Sequence, residues 1–183
     1  KILPDKIVHY LIYVRDLPKK IQINYSKIII KFLITNIYDR NKKKIFTMRN
    51  FGGSTISRGF HLFKTDKEVA EWIEGFDANS VLVDIGANVG LYTCYAAKAR
   101  GCRVFSFEPS VFNLELLARN IFHNGVTGQA TIVPIPLSES LAFNTLNMGT
   151  TEWGGALSTF GEDYGHNGQA LEKIFEFPTI GLS

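Results

Sequence analysis

Cysteine is scarce in this sequence, at two of 183 residues, Cys94 and Cys102. Both fall within one predicted passage from a helix to a strand, so they do not form the framework of a disulfide-stabilised secreted domain. We therefore expect reduced thiols and a cytoplasmic protein. The composition, with 45% hydrophobic and 20% charged residues, is that of a globular chain rather than a disordered one.

Long uninterrupted hydrophobic runs are also missing. The most apolar stretch, YSKIIIKFLITNIY, contains Lys27 and Lys31 and stays short of the about 18 consecutive apolar residues that indicate a membrane-spanning helix. No signal-peptide pattern is evident either. Over residues 20–38 polar side chains recur at steps of three and four, which predicts an amphipathic helix, although the many Ile residues favour a strand as the alternative. The polar positions are Lys20, Asn24, Lys27, Lys31 and Thr35.

Negative charge is scarce at the start of the chain. Residues 1–50 hold 12 Lys or Arg against 3 Asp, a net charge of +9, so the rest of the chain carries −6 within the total of +3. We predict a basic amphipathic segment over residues 1–44 and a second domain over residues 45–183. A packing helix with a solvated Lys edge explains the basic segment, and peripheral contact with a membrane surface is the alternative. A basic segment also suits phosphates, but no base-stacking motif accompanies it, so we expect no nucleic-acid partner.

Two short strands and a helix are predicted after Lys44. The strands are KIFTMRNFGG and STISRGFHLF, separated by the turn-forming pair Gly52 and Gly53. In TDKEVAEWIEGF, Thr65 stands three residues before Glu68, a capping-box pattern that marks the start of a helix. One face of this helix is predicted to be apolar and carries Val69, Trp72, Ile73 and Phe76.

Short apolar strands alternate with helices from Val81 onward. The strands are VLVDI, RVFSFE and ATIVPIPL; the helices cover residues 90–100, ending at Gly101, and residues 110–124, ending near Gly125. This alternation predicts an α/β fold, a doubly wound parallel sheet with right-handed crossovers and both faces covered. Two more strands, SLAFNTLNMG and KIFEFPTIGL, are predicted on either side of a long Gly-, Ser- and Thr-rich loop, and loops of that length are usually functional or mobile.

The turn after the first of these strands reads VDIGANVG and lacks the dinucleotide-binding spacing. Gly86 and Gly90 are four residues apart, and Asn88 stands where G-x-G-x-x-G requires a glycine for close approach to a pyrophosphate. Asn88 tolerates a left-handed conformation, but its side chain occupies space. Because ligands bind at the carboxyl ends of such strands, a ligand without pyrophosphate is expected here.

S-adenosylmethionine fits that description. Asp84 is placed to attract its ammonium group, backbone amides near Gly90 favour its carboxylate, and Gly86 allows close approach to the nucleoside. Glu108, at the end of the second strand, is placed to accept hydrogen bonds from the ribose diol, and Ser110 to cap the next helix. The glycines, Asp84 and Glu108 also have purely structural explanations: tight packing for the glycines, hydrogen bonds to loop amides for Asp84, and a solvated strand end for Glu108. Since NAD-binding folds share the acid, a nicotinamide-dependent oxidoreductase remains an alternative.

Residues 81–126, with D-I-G-A-N-V-G and F-E-P, resemble the FkbM-type methyltransferases, whose first strand and turn commonly read D-I-G-A-N-x-G and whose second strand ends F-E-P. The resemblance covers roughly residues 54–148. It implies a class I, Rossmann-like enzyme that uses S-adenosylmethionine, usually to O-methylate a sugar, polysaccharide or natural product. By position, it implies that a cofactor loop is formed by Asp84, Gly86, Ala87, Asn88 and Gly90. It further implies that Glu108 binds the ribose and that Ser138 lies near the adenine.

The resemblance also exposes a missing part. Family members continue into a strand with a K-I-D-x-E-G-like motif, which this sequence does not contain before Ser183. We therefore expect a methyltransferase domain truncated at its C-terminal side, with a small-molecule or glycan acceptor and reduced activity on its own.

No catalytic residue can be assigned from the pattern, and no metal-binding spacing is present. His166 is a candidate because Glu162 and Asp163 are near it, although a surface loop His is usually just solvated. The acceptor pocket has three further candidates, of which His61 has the strand-like setting of a structural residue: Arg58, His61 and Trp153. A non-catalytic interaction or membrane-surface module on the same fold is the remaining alternative.

Overall fold

The computed structural model describes residues 34–38, 42–50, 55, 62, 66–165 and 167–183. Its strands and helices follow the predicted alternation over most of this range. In chain order they are β1 Ile34–Tyr38, β2 Lys44–Arg49, α1 Lys67–Glu74, β3 Val81–Ile85, α2 Leu91–Tyr95, which continues as a π-helical turn Ala96–Arg100, β4 Arg103–Phe107, α3 Val111–His123, β5 Ala130–Val133, β6 Ala142–Met148, β7 Thr159–Phe160 and β8 Phe175–Gly181.

A three-stranded parallel sheet with the order β3-β4-β5 forms the centre. Its register places Val83 beside Phe105 and Phe105 beside Thr131. Gly101 and Gly125, predicted to end the two helices, have left-handed φ angles of 74° and 66°. The predicted α/β class with a parallel sheet is therefore confirmed.

The prediction that both faces of this sheet are covered is wrong for the described residues. On β3, Val81, Val83 and Ile85 are 54%, 51% and 67% exposed, whereas the alternating residues Leu82 and Asp84 are buried. Each new strand is added on the same side of its predecessor, so right-handed crossovers carry α2 and α3 to one face only. Covering the other face requires the winding to reverse at β3.

Two asparagine side chains at the C-terminal end of α3, Asn120 within the helix and Asn124 directly after it, attach β2 to the helical layer. Asn124 accepts a hydrogen bond from the Thr47 amide at 2.8 Å and donates to the Thr47 carbonyl at 2.7 Å. Asn120 accepts from the Arg49 amide at 2.7 Å and donates to the Val89 carbonyl, within the turn after β3, at 2.8 Å. The two carboxamides satisfy backbone groups that a neighbouring strand would otherwise bind, and they connect β2 to that turn.

Two helix starts differ from the predictions. At α1 the N-cap residue is Asp66 rather than Thr65, which lies outside the described residues, and Asp66 accepts from the Tyr92 hydroxyl instead of capping the helix. At α3, Ser110 is the N-cap residue as predicted, but its side chain makes no capping hydrogen bond. In α1 the predicted apolar face is wrong for Trp72, which is 59% exposed and packs edge-to-face on Phe76.

The predicted amphipathic helix over residues 20–38 is wrong at its end, because residues 34–38 form β1. The β-branched residues Ile34, Thr35 and Ile37 favour that conformation. Residues 20–33, and most of the predicted basic segment over residues 1–44, lie outside the described residues. The predicted strand over residues 54–63 does too, apart from the buried residues Thr55 and Leu62.

A second, antiparallel sheet has the order β7-β6-β8. Its long strands, β6 and β8, correspond to the two strands predicted beyond Ser138, and β7 is a short strand within the predicted loop. An isolated bridge from Leu137 to Leu182 links the chain after β5 to the end of β8. Among the helices that the structure describes, none combines the length and apolar character needed to span a bilayer.

Candidate functional site

The turn after β3 is built from three left-handed residues. Gly86, Asn88 and Gly90 have φ angles of 72°, 52° and 86°. A Cβ atom on Gly90 would lie 2.6 Å from Leu117 Cδ1, so this glycine allows α2 to start directly against α3. Around Gly86 nothing lies within 4 Å of the Cβ position, so its backbone faces open space. The two glycines thus serve different purposes, packing at Gly90 and accessibility at Gly86.

The backbone amides of the turn all donate to acceptors within the protein, either in the turn itself or at the end of β4. The amides of Gly86 and Ala87 both donate to the Phe107 carbonyl at 2.9 Å, and the Gly90 amide donates to the Ala87 carbonyl at 2.8 Å. The Asn88 amide donates to Glu108 Oε2 at 2.7 Å, and the Val89 amide donates to Asn88 Oδ1 at 2.9 Å. Because every amide from 86 to 90 has an internal acceptor, these groups do not form a nest for an anion.

Glu108 links three segments through one buried carboxylate. It is 5% exposed, and besides the Asn88 amide it binds the Ser110 amide, which donates to Oε1 at 2.9 Å. Asn113 Nδ2 lies 3.4 Å from the same oxygen. Burial raises the pKa of Glu108, while the amides of Ser110 and Asn88 act in the opposite direction. The end of β4 is thereby fixed to the turn after β3 and to the start of α3.

Asp84 lies beneath the turn, on the side of β3 that faces the helices. Its carboxylate accepts a hydrogen bond from Thr93 Oγ1 at 2.6 Å, and that hydroxyl lies 2.8 Å from Ser106 Oγ. Burial raises the pKa of Asp84, and the bond from Thr93 partly offsets this. The negative charge of Asp84 also contributes to the raised pKa of Glu108. Two buried carboxyl groups therefore make this end of the sheet favourable for a cation.

A cavity of about 260 Å³ opens at the carboxyl ends of the three parallel strands. Four stretches of chain line it: the turn after β3, the end of β4 with the start of α3, the residues after β5, and part of the long loop. The lining residues are Ile85, Gly86, Asn88, Phe107, Glu108, Pro109, Asn113, Ile135, Pro136, Leu137, Gly155, Ala156, Leu157 and Ser158. Most of this wall is apolar, and Glu108 is its acidic group.

Of the seven residues predicted for a cofactor, three line the cavity: Gly86, Asn88 and Glu108. The other four, Asp84, Ala87, Gly90 and Ser138, are not among its lining residues. Ser138 donates through its hydroxyl to the Ser140 carbonyl and through its amide to Leu182 at 2.8 Å, which directs it towards the second sheet. Its place beside the cavity is taken by the preceding residues, 135–137.

Two features of the cavity were not predicted from the sequence. Asn113 is 2% exposed and bonds both Glu108 and the long loop. The loop residues 155–158 form a wall of the cavity. The available signals were a polar residue in the first turn after F-E-P, and the length of the loop itself, but neither specifies the contact partner.

Among the predicted acceptor-pocket and catalytic candidates, the structure describes Trp153 and the two acids near His166, Glu162 and Asp163. His166, His61 and Arg58 lie outside the described residues. Asp163 is exposed and pairs with Lys173 at 2.7 Å, and Trp153 packs against the hydrophobic core without lining the cavity. Over the described part of the chain, no three His, Cys, Asp or Glu side chains are placed to hold a metal ion.

Neither a protein-family model nor a curated protein matches the sequence. Solved structures do show partial similarity. One is an S-adenosylmethionine-dependent methyltransferase from Thiobacillus denitrificans in complex with S-adenosyl-L-homocysteine, at 19% identity and a TM-score of 0.35, covering 40% of this chain and 31% of that one.

Two further structures are similar to a comparable extent. For Pyrococcus horikoshii TYW2 in complex with MeSAdo, the identity is 17%, the TM-score 0.39, and the coverage 57% of this chain and 36% of that one. For the N-terminal domain of human METTL16, the identity is 15%, the TM-score 0.38, and the coverage 58% of this chain and 50% of that one. This chain thus spans at most half the length of these three structures. Similarity at this level does not identify a function, which has to come from the residues of the site.

The two glycines of the turn provide a matched pair of substitutions. Gly90→Ala is expected to cost about 1–2 kcal/mol for the left-handed conformation and a further ~1–3 kcal/mol for the clash with Leu117. Gly86→Ala is expected to cost only the conformational part, about 1–2 kcal/mol. Urea unfolding of both variants measures the difference. Equal destabilisation would contradict the assignment of Gly90 to helix packing.

Proposed function

We propose that this chain is the cofactor-binding part of an S-adenosylmethionine-dependent methyltransferase of the FkbM type. The observation that carries the proposal is the cavity at the carboxyl ends of β3, β4 and β5, where Gly86, Glu108 and an apolar wall meet. In a parallel sheet this edge is where nucleoside ligands bind. Each part of the cavity has a counterpart in the chemistry of S-adenosylmethionine.

The nucleoside portion matches the middle of the cavity. We expect the carboxylate form of Glu108 to accept hydrogen bonds from the ribose hydroxyls, and such bonds are charge-assisted. The apolar side chains of Phe107, Ile135 and Leu137 provide surfaces for the adenine ring. The open backbone at Gly86 provides close approach on the remaining side. Apolar walls around one acidic group favour a nucleoside over a purely charged ligand.

The charge of the ligand decides whether S-adenosylmethionine or a dinucleotide suits this site. A pyrophosphate needs free amides at the turn, and here the amides of residues 86–90 already have acceptors. The buried carboxyl group of Asp84, beneath the turn, would also repel a pyrophosphate, whereas it attracts a sulfonium cation. The same finding departs from the expectation that the amides around Gly90 bind the ligand's carboxylate. The electrostatics of the site therefore favour the cationic cofactor over NAD.

The chain's contribution to methyl transfer is alignment. S-adenosylmethionine supplies a methyl carbon activated by its sulfonium, and transfer to an acceptor oxygen requires acceptor, carbon and sulfur in line. Glu108 and the cavity wall would hold and orient the nucleoside end. For the acceptor we propose a sugar or natural-product hydroxyl, which is supported by the D-I-G-A-N-V-G and F-E-P motifs.

Calorimetric titration with S-adenosylmethionine and, separately, with NAD tests the proposal. We expect selective binding of S-adenosylmethionine, weakened about tenfold or more in Glu108→Ala, because charge-assisted hydrogen bonds contribute about 1.5–3 kcal/mol. Glu115→Ala, at an exposed position of α3 where Glu115 pairs with Arg119, is the matched control and should bind like the wild type. Binding of NAD instead would favour an oxidoreductase. Binding of neither by folded protein would favour an interaction module.

The raised pKa of Glu108 predicts how S-adenosylmethionine binding depends on pH. Burial raises this pKa above its ordinary value of 4.5. Protonation removes an acceptor needed by the ribose, so the affinity should be constant above the raised pKa and fall as the pH decreases through it. The limiting slope is about tenfold per pH unit for one proton. Calorimetry in a series of buffers measures it.

Glu108→Gln is the control for this pH dependence. The variant should bind weakly at all pH values and lose most of the slope, leaving only the part that comes from Asp84, whose pKa is also raised. A full slope in Glu108→Gln would assign the titration to another group.

The stability of the protein without ligand depends on pH in the opposite direction. A raised carboxyl pKa in the folded state means that the folded state binds the proton more tightly than the unfolded state does. The stabilisation from Glu108 is then complete below pH 4.5 and lost as the pH rises through the raised pKa.

A further inference from the structure

We propose that Asn113 is a positioning residue that holds residues Trp153–Ser158, the covering segment, across the cavity and so sets how long the cofactor stays bound. The inference rests on the proposed function, because it concerns the residence of S-adenosylmethionine at the same site. Neither Asn113 nor this segment belongs to the D-I-G-A-N or F-E-P motifs. The contacts of Asn113 carry the inference.

Both the oxygen and the nitrogen of the Asn113 carboxamide form hydrogen bonds with the backbone of the covering segment. Its Oδ1 accepts a hydrogen bond from the Gly154 amide at 2.8 Å, and its Nδ2 donates to the Gly155 carbonyl at 3.0 Å. Asn88 Nδ2 donates to the same carbonyl at 2.7 Å. The side chain of Asn113 is 2% exposed, so these bonds are formed away from water, where an unmade bond is costly.

The covering segment has a backbone shape that depends on these bonds. Gly154 and Leu157 both have left-handed φ angles, 81° and 68°, and the latter is unfavourable for a leucine. A Cβ atom on Gly155 would lie 2.5 Å from Thr150 Cγ2, so the chain turns tightly there. Residues 155–158 line the cavity, while Leu157 remains 60% exposed. An irregular wall held by side-chain hydrogen bonds is the kind of element that opens locally.

Both residues that hold the segment also touch the proposed ribose-binding carboxylate. Asn88 donates to Glu108 through its backbone amide, and Asn113 approaches Glu108 Oε1 through Nδ2 at 3.4 Å. The covering segment and Glu108 are therefore attached to the same two asparagines. When the segment is held, it closes the cavity beside Glu108. When Asn113 is removed, its hydrogen bonds to the Gly154 amide and the Gly155 carbonyl are lost, while the bond from Asn88 to the Gly155 carbonyl remains.

Stopped-flow kinetics of S-adenosylmethionine binding tests this role. In Asn113→Ala we expect the dissociation rate to rise about fivefold or more, the loss expected for one or two hydrogen bonds, while the association rate stays close to that of the wild type. Asn113→Asp keeps the side-chain volume and the acceptor for the Gly154 amide, but it replaces the Nδ2 donor by a carboxylate oxygen facing the Gly155 carbonyl and Glu108, so dissociation should also be faster. Glu115→Ala, in the same turn of α3, should leave both rates unchanged. A damaged cavity, in contrast, would lower the association rate as well.

Tryptophan fluorescence gives a second readout that needs no cofactor. The sequence has two tryptophans, so Trp72→Phe leaves Trp153, within the covering segment, as the single fluorophore. In this background Asn113→Ala and Asn113→Asp should increase the acrylamide quenching of Trp153, while circular dichroism shows an unchanged fold. If Asn113→Ala does not fold, the isosteric Asn113→Asp carries the test.

The possible results separate this inference from the proposed function. Wild-type protein that does not bind S-adenosylmethionine overturns both. Wild-type binding together with wild-type dissociation rates in both Asn113 variants overturns only the role of Asn113. The same holds if Trp153 quenching is unchanged in the two variants. Faster dissociation with increased quenching establishes Asn113 as the residue that holds the covering segment.

Discussion

The buried carboxylate of Glu108 is the interaction on which the site depends. It accepts from the amides of Asn88 and Ser110 and lies within 3.4 Å of Asn113 Nδ2. Three pieces of chain that are distant in sequence are thereby fixed around one negative charge: the turn after β3, the start of α3 and, through Asn113, the long loop. Burial raises the pKa of Glu108, so keeping this carboxyl group ionised lowers the free energy of unfolding. Buried ionisable groups of this kind are typical of binding sites.

The topology explains why that charge lies at the edge of a cavity. The strands β3, β4 and β5 run parallel, so their carboxyl ends meet at one edge, and right-handed crossovers place α2 and α3 on one face. Asparagines 120 and 124 attach β2 to the same helical layer, and Asn120 also binds the carbonyl of Val89 in the turn. The turn is therefore held by hydrogen bonds from Asn120 to the Val89 carbonyl and from the Asn88 amide to Glu108.

The sequence was informative where a local pattern determines the structure. The glycine spacing around Asn88 predicted a turn between strand and helix, and Gly101 and Gly125 predicted the helix ends. Glycine is common at such positions because few other residue types adopt left-handed φ angles. Contacts between distant segments had no such signal. The pairing of Asn113 with Gly154 and Gly155 and the hydrogen bonds of Ser138 depend on how the loop and the second sheet fold back. The exposed side of β3 depends on the strand order. At residues 34–38 the helical period was present, but β-branched residues and pairing with β2 favoured a strand.

The central claim is that the cavity beside Glu108 binds S-adenosylmethionine. An ¹⁵N-labelled sample titrated with this ligand, with the backbone amide signals assigned, tests the claim most directly. The account predicts shifts concentrated at residues 86–90, 108–113 and 155–158, the stretches that surround Glu108, with the exposed amides of α1 unchanged. Shifts confined to another part of the chain, or none at millimolar ligand, would contradict it.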